Sequence, residues 1–226
     1  MKINSDLTAP ALVKYTDSTW LPSPTPGVDR KMLEREGDEK AVRATTIVRY
    51  RPESSFPSHN HDGGEEFLVL SGKFSDKSGN FCRGFYVRNP VGSRHAPWSD
   101  LGTTIFVKLG QIDPADRSYV RLDTEGADWQ DYRKSGFRTL LLHRFSGETV
   151  RLVTLEQGRI YPEQSFPGGS EIFVIKGELR AENTDFTTDL AEGDWLRCPA
   201  RLDITISTGK AGVTFYLKTG HLPPAL

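Results

Sequence analysis

Apolar positions along this chain come in short runs rich in β-branched and aromatic residues: Thr46 to Tyr50, Phe67 to Leu70, Phe85 to Val87 and Thr103 to Leu109. After a polar stretch the same texture returns at Phe137 to His143, Val150 to Leu155, Ile172 to Ile175, Trp195 to Leu196, Ile204 to Ile206 and Val213 to Leu217. Glycine- and proline-bearing segments separate these runs, a pattern that predicts many short strands closed into a sandwich or barrel, and so an all-β fold. Arg30 to Val42 is the one candidate for a short helix, with Gly37 inside it counting against helix formation. Thr103 to Leu109 reads as an extra strand, free to pair between modules or subunits.

An internal repeat organises the strands. Gly63-Gly64-Glu65-Glu66-Phe67-Leu68-Val69-Leu70-Ser71-Gly72 aligns with Gly168-Gly169-Ser170-Glu171-Ile172-Phe173-Val174-Ile175-Lys176-Gly177. Further on, Gly84 and Pro90 have counterparts at the same spacing in Gly193 and Pro199. Two tandem modules are therefore expected, residues 1–122 and 137–226, joined by a packed linker at 123–136 whose Trp129 and Tyr132 anchor it.

Composition narrows the class. The chain has 226 residues, 36% hydrophobic and 26% charged, with a formal net charge of -1; that describes a folded globular protein. No basic block marks a nucleic-acid surface, and no apolar run reaches the roughly 18 residues of a membrane span. Cys82 and Cys198 are the two cysteines, too few for a disulfide framework, although one bridge between them stays open. With no leader-like start, the expected compartment is the cytoplasm.

The chemistry concentrates in the first module. His59 and His61 are two apart, so on an extended strand their imidazoles face the same side. Gly63 and Gly64 let the backbone turn sharply, which returns the Glu65 carboxylate toward them. His95 arrives from a separate element behind Pro90 and Gly92. Three imidazoles and a carboxylate form a borderline nitrogen and oxygen set for one divalent transition metal, zinc first, with iron, manganese or nickel also suited. Glu66, Arg94 and Ser99 are the candidates for outer hydrogen bonds to the ligands, chosen by proximity in sequence. His143 and His221 read as structural or surface residues.

On these residues the chain resembles the cupin superfamily. His59, His61, Glu65 and Gly72 match its first motif, and Gly84, Pro90, Gly92 and His95 its second. Glu53 stands where a glycine is usual, and Ser99 where asparagine is. The runs His59 to Gly72 and Arg88 to Ser99, with Phe74 and Asp76, are similar to the ChrR-like group, the cupin domain of an anti-sigma factor; the likeness covers roughly Val13 to Gly110. It implies a double-stranded β-helix, or jelly roll, in each module, and a bicupin overall. The sigma-binding helical domain of those anti-sigma proteins has no counterpart ahead of the first motif, so sigma factor binding is not expected. The second module carries Gln164, Phe166, Ser170 and Ile204 at the ligand positions, a degenerate set that does not make a metal site.

The function expected is a metal-binding bicupin holding a small-molecule ligand at the three-histidine, one-glutamate site. One alternative is a metal-dependent dioxygenase acting on a diketone-like small molecule, and the other a ligand or oxidative-stress sensor without turnover. A homodimer is implied by the resemblance alone. The ligand set does not identify catalytic residues, because ligands do not specify a reaction.

Overall fold

Each of the apolar runs coincides with a strand or overlaps one, and no α-helix occurs among residues 1–223, which the computed structural model describes. None of its helical segments is long and apolar enough to cross a membrane. The chain divides into two units, Met1–Ser5 with Ser18–Ala127, and Asp6–Asp17 with Asp128–Leu226. The expected first span, 1–122, therefore yields Asp6–Asp17 to the second unit. There Ala11–Val13 pairs antiparallel with Trp195–Cys198, and the backbone N–H of Tyr15 donates to Asp194 at 2.7 Å.

In the first unit, antiparallel strands run in the order Val28–Gly37, Ala41–Tyr50, Thr103–Leu109, Glu65–Asp76, Phe85–Asn89 and Val120–Asp123. Two expectations are corrected here. Arg30 to Val42 is not helical: it spans two strands that pair with each other around Gly37, whose φ is +97°. Its Lys, Met, Leu, Glu and Arg residues favour a helix locally, but pairing with the β-branched run Thr45 to Val48 overrides that preference. Thr103–Leu109 is no spare strand either, since it lies between Ala41–Tyr50 and Glu65–Asp76 and bonds to both. Val28, Phe67, Val69, Phe74, Phe81, Val87 and Ile105 form the core inside these strands.

The second unit repeats the plan, with the order Phe137–Phe145, Glu148–Leu155, Val213–Thr219, Ser170–Glu182 and Trp195–Cys198. Both units are jelly rolls of antiparallel sheet. Cys82 is exposed and Cys198 buried, both as free thiols, so the bridge left open by the sequence is not formed.

The repeated glycines perform the same task in each unit. A Cβ on Gly63 would fall 2.6 Å from Cα of Gly110, and one on Gly168 would fall 2.6 Å from Cα of Gly220. Gly64 and Gly169 have φ of +76° and +75°, the left-handed region that side chains avoid. In the first unit this turn is fastened by N–H of Gly110 to O of Gly64 at 3.1 Å and N–H of Ile112 to O of Gly63 at 3.2 Å.

Gly64 and Gly92 separate backbone strain from packing. Both have positive φ, but a Cβ on Gly64 would lie 2.7–2.9 Å from the Ile112 side chain, whereas one on Gly92 meets nothing within 4 Å. Gly64→Ala should lower the unfolding free energy by about 1–3 kcal/mol more than Gly92→Ala does. Urea denaturation of the two variants measures the difference, and equal losses would show that the close approach is not what the turn requires.

Candidate metal centre

The short strand His59–His61 pairs antiparallel with Ser93–His95, placing His95 opposite His59 and Ser93 opposite His61. Alternation along the two strands puts all three imidazoles on one face. Their ring centroids form a near-equilateral triangle with sides of 4.8, 5.0 and 4.7 Å, each pair of rings edge to face. The turn through Gly63 and Gly64 then delivers Glu65 as the first residue of Glu65–Asp76. Its Oε2 lies 3.6 Å from Nε2 of His61 and 3.6 Å from Nε2 of His95.

Each of the four residues thus offers one ligand atom, all within 4.8 Å of one another. Nε2 of His61 and Nε2 of His95 are buried and have no hydrogen-bond partner, a costly state for two imidazole nitrogens facing one carboxylate. Four ligand atoms about 2.0–2.1 Å from one ion in a tetrahedron would sit roughly 3.4 Å apart. The two 3.6 Å separations come close to that spacing, so the residues present fit a divalent ion.

The outer bonds fix which nitrogen faces inward. Nδ1–H of His59 donates to the carbonyl of Pro57 at 2.8 Å, and Nδ1–H of His95 donates to Oδ2 of Asp76 at 3.0 Å. Both bonds leave Nε2 as the ligand atom; a carboxylate behind a ligating imidazole also raises its basicity. Nδ2 of Asn89 donates to Oε2 of Glu65 at 2.9 Å, and Nη2 of Arg121 donates to Oδ1 of Asn89 at 2.6 Å. Asn89 stands opposite Glu65 in the strand register.

The three residues expected around the ligands are engaged elsewhere. Glu66 follows Glu65 on a strand and so turns to the other face, where it accepts from Tyr86 Oη at 2.6 Å and Arg88 Nη1 at 2.7 Å. Arg94 donates through Nε to Ser58 at 2.9 Å, and Ser99 donates to the carbonyl of Lys73 at 2.6 Å. Asp76, Asn89 and Arg121 hold the outer positions instead. Asp76 stood within the family-like run, but no feature of the sequence marked its role; Asn89 and Arg121 are recognisable only once the register is known.

Charge at the site is balanced among these groups. Burial works against ionisation of Glu65, yet His61, His95 and the Asn89 bond together hold its pKa below the ordinary carboxylate value. Burial also opposes the charge on Asp76, but the bonds from His95 and Ser78 bring its pKa down to about 2. Burial dominates at His61 and lowers its pKa, which keeps the ring neutral and ready to ligate. At His95 burial is outweighed by Glu65 and Asp76, so its pKa is raised.

Two cavities meet these ligands. One, of about 540 Å³, is lined by His59, His61, Glu65 and His95 together with apolar side chains such as Tyr50, Phe56 and Ile105. The other, of about 610 Å³, touches His61 and His95 from a polar side. In the second unit the corresponding space is filled, because Phe166 and Ile204 are part of its buried apolar core.

Residues 8–113 and again 117–223 match the family model for the ChrR Cupin-like domain. The chain belongs to that family, with two copies of the domain. Solved structures of similar fold include Ylba from E. coli, at 14% identity and a TM-score of 0.73 over 98% of this chain and 95% of that one. The nickel(II) complex of bacterial pirin YhhW from Escherichia coli aligns at 14% identity and a TM-score of 0.70, over 96% and 100% of the two chains. An oxalate decarboxylase of B. subtilis aligns at 12% identity and 0.69, over 93% and 77%. At such identities the likeness is one of fold. No curated protein matches the chain.

Metal binding at this centre should be pH-dependent with a definite sign. A metal takes the neutral imidazole, so the proton that Glu65 and Asp76 retain on His95 must leave when the ion enters. Apparent affinity should therefore fall as pH drops through the histidine range, by about tenfold per pH unit for one proton displaced. Chelator competition between pH 5.5 and 8 measures the slope, and an affinity independent of pH would remove His95 from the ligand set.

Proposed function

We propose that the first unit binds a divalent transition metal through His59, His61, Glu65 and His95 and takes a small molecule on the open side of that ion. The observation that carries this reading is the pair of buried, unpartnered imidazole nitrogens at the junction of two cavities. A sealed structural ion would need no such space beside it. Zinc suits the donor set first, and the same donors accept iron, manganese or nickel.

When bound, the ion supplies Lewis acidity and, if ferrous, access to dioxygen chemistry. The chain's own part is to position and to exclude. His59 and His95 are held by Pro57 and Asp76, and Glu65 is held by Asn89, so the ligand atoms are set before an ion arrives. Three neutral imidazoles and one carboxylate leave a dication with net positive charge, which favours ligands that bind through anionic or enolate oxygen.

His61→Ala should remove most of the bound metal while the second unit stays folded, since that unit has its own apolar core. Elemental analysis after matched purification tests this, with circular dichroism as the check on folding. Undiminished metal in the variant would sink the assignment.

A second reading, a dioxygenase for a diketone-like molecule, is favoured by the apolar side chains of Phe56, Ile105 and Val107 that line the 540 Å³ cavity together with the ligands. Apolar walls keep water from the reacting centre. Iron-loaded protein should then consume oxygen when β-diketones are added anaerobically before air is admitted. Uptake no faster than in the metal-free control, across a broad panel, argues for binding without turnover.

A further inference from the structure

We infer that the polar pocket beside the ligands binds a small dicarboxylate, one carboxylate directed at the metal position and the other held by Arg121, Arg94 and Lys77. This deepens the metal reading, and only the first of the two contacts rests on it.

The pocket has a volume of about 610 Å³, and the cations Lys77, Arg94 and Arg121 share its wall with one acid, Asp76. That acid is already engaged, accepting from Nδ1 of His95 at 3.0 Å and from N and Oγ of Ser78 at 2.6 and 2.5 Å. Arg121 has the opposite character. Its acceptors are all neutral: the carbonyls of Arg88 and Val120 at 2.9 and 2.7 Å, Oδ1 of Asn89 at 2.6 Å and Oγ of Ser78 at 3.4 Å. A half-buried guanidinium fixed by neutral groups keeps its charge available to an incoming anion, with its Nε–H left to donate to a carboxylate while the four Nη hydrogens are engaged.

A second, independent feature points into the same space. Oγ of Ser93 is buried without a hydrogen-bond partner, on a residue that lines this pocket and stands opposite His61 in the strand register. Such a hydroxyl is expected to pair with something the protein does not itself provide. The unpartnered Nε2 atoms of His61 and His95 lie at the inner end. From the inner end outward the pocket thus presents a metal position, a hydroxyl donor and three cations. The neighbouring cavity also carries Arg30 and Lys40, but these are already paired with Glu39 at 3.0 Å and Asp62 at 2.6 Å.

Malonate and acetylacetone test this as a matched pair. Both present two oxygen-bearing ends three carbons apart and can reach a metal through oxygen, but malonate is a dianion and acetylacetone is neutral or singly charged. Calorimetric titration is made on protein of known metal content, and again on metal-free protein. Malonate should bind both forms, more tightly with metal, and weaken steeply with added salt. Arg121→Gln should weaken malonate by about tenfold or more. Because Arg121 also supports Asn89, selectivity is read in Lys77→Gln, which should weaken malonate several-fold and leave acetylacetone within a factor of about two.

Malonate affinity unchanged in both variants, or no malonate binding to either form of the wild type, overturns the inference. A chain that takes up no metal but still binds malonate through these cations would refute the metal reading and uphold the anion pocket. A metal-loaded chain that binds acetylacetone and not malonate would do the reverse.

Discussion

The turn from His61 to Glu65 is the constraint on which the site depends. One carbonyl, that of His61, accepts from the backbone N–H of Gly64 at 3.1 Å and of Gly92 at 2.9 Å. Those two bonds tie the strand carrying His59 and His61 to both the segment that delivers Glu65 and the segment that delivers His95. The turn is then pressed against the end of the central strand, where a Cβ on Gly63 would fall 2.6 Å from Cα of Gly110, so only glycine permits the approach. A shift of one residue in this register would turn each side chain to the other face. The four ligands converge because the backbone leaves them no alternative.

Convergence has an electrostatic cost that the surroundings partly answer. Glu65 is buried among three imidazoles, and a buried carboxylate without compensation is strongly disfavoured. Asn89 donates one hydrogen bond to it, and Asp76 holds His95 in place by accepting from its Nδ1–H. Nε2 of both His61 and His95 still lacks a partner. The site is preorganised but unsatisfied, a combination that suits a divalent ion.

Strand positions and the ligand quartet were open to inspection in the sequence because both rest on local periodicity. His59 and His61 lie two apart, Gly63 and Gly64 announce a turn, and the repeat in Gly168 to Gly177 marks the second unit. What stayed hidden depends on pairing across the sheet. Asn89 supports Glu65 because the two are register partners, and Arg121 reaches Asn89 from a strand 32 positions further along the chain. Choosing outer residues by nearness in sequence favoured Glu66, which strand alternation directs to Tyr86 and Arg88. The hairpin at Gly37 was likewise obscured, since helix-favouring residues there yield to pairing with Ala41–Tyr50.

The second unit shows which of these features the fold requires. It keeps the close approach of Gly168 to Gly220, the positive φ of Gly169 and the bond from N–H of Gly193 to the carbonyl of Val174, which matches Gly84 to Val69 in the first unit. Even the contact between the ligand-bearing segments persists, as N–H of Ile204 donates to the carbonyl of Gln164 at 2.9 Å. Yet at the ligand positions it places Phe166 and Ile204, both part of its apolar core. A jelly roll of this sequence type therefore forms without histidines or glutamate at those positions, and packing apolar volume there avoids desolvating a carboxylate. The first unit carries that burden and leaves two cavities open beside it. Since the fold does not demand the four residues, they are a feature of the first unit that packing does not account for, set where they could hold an ion.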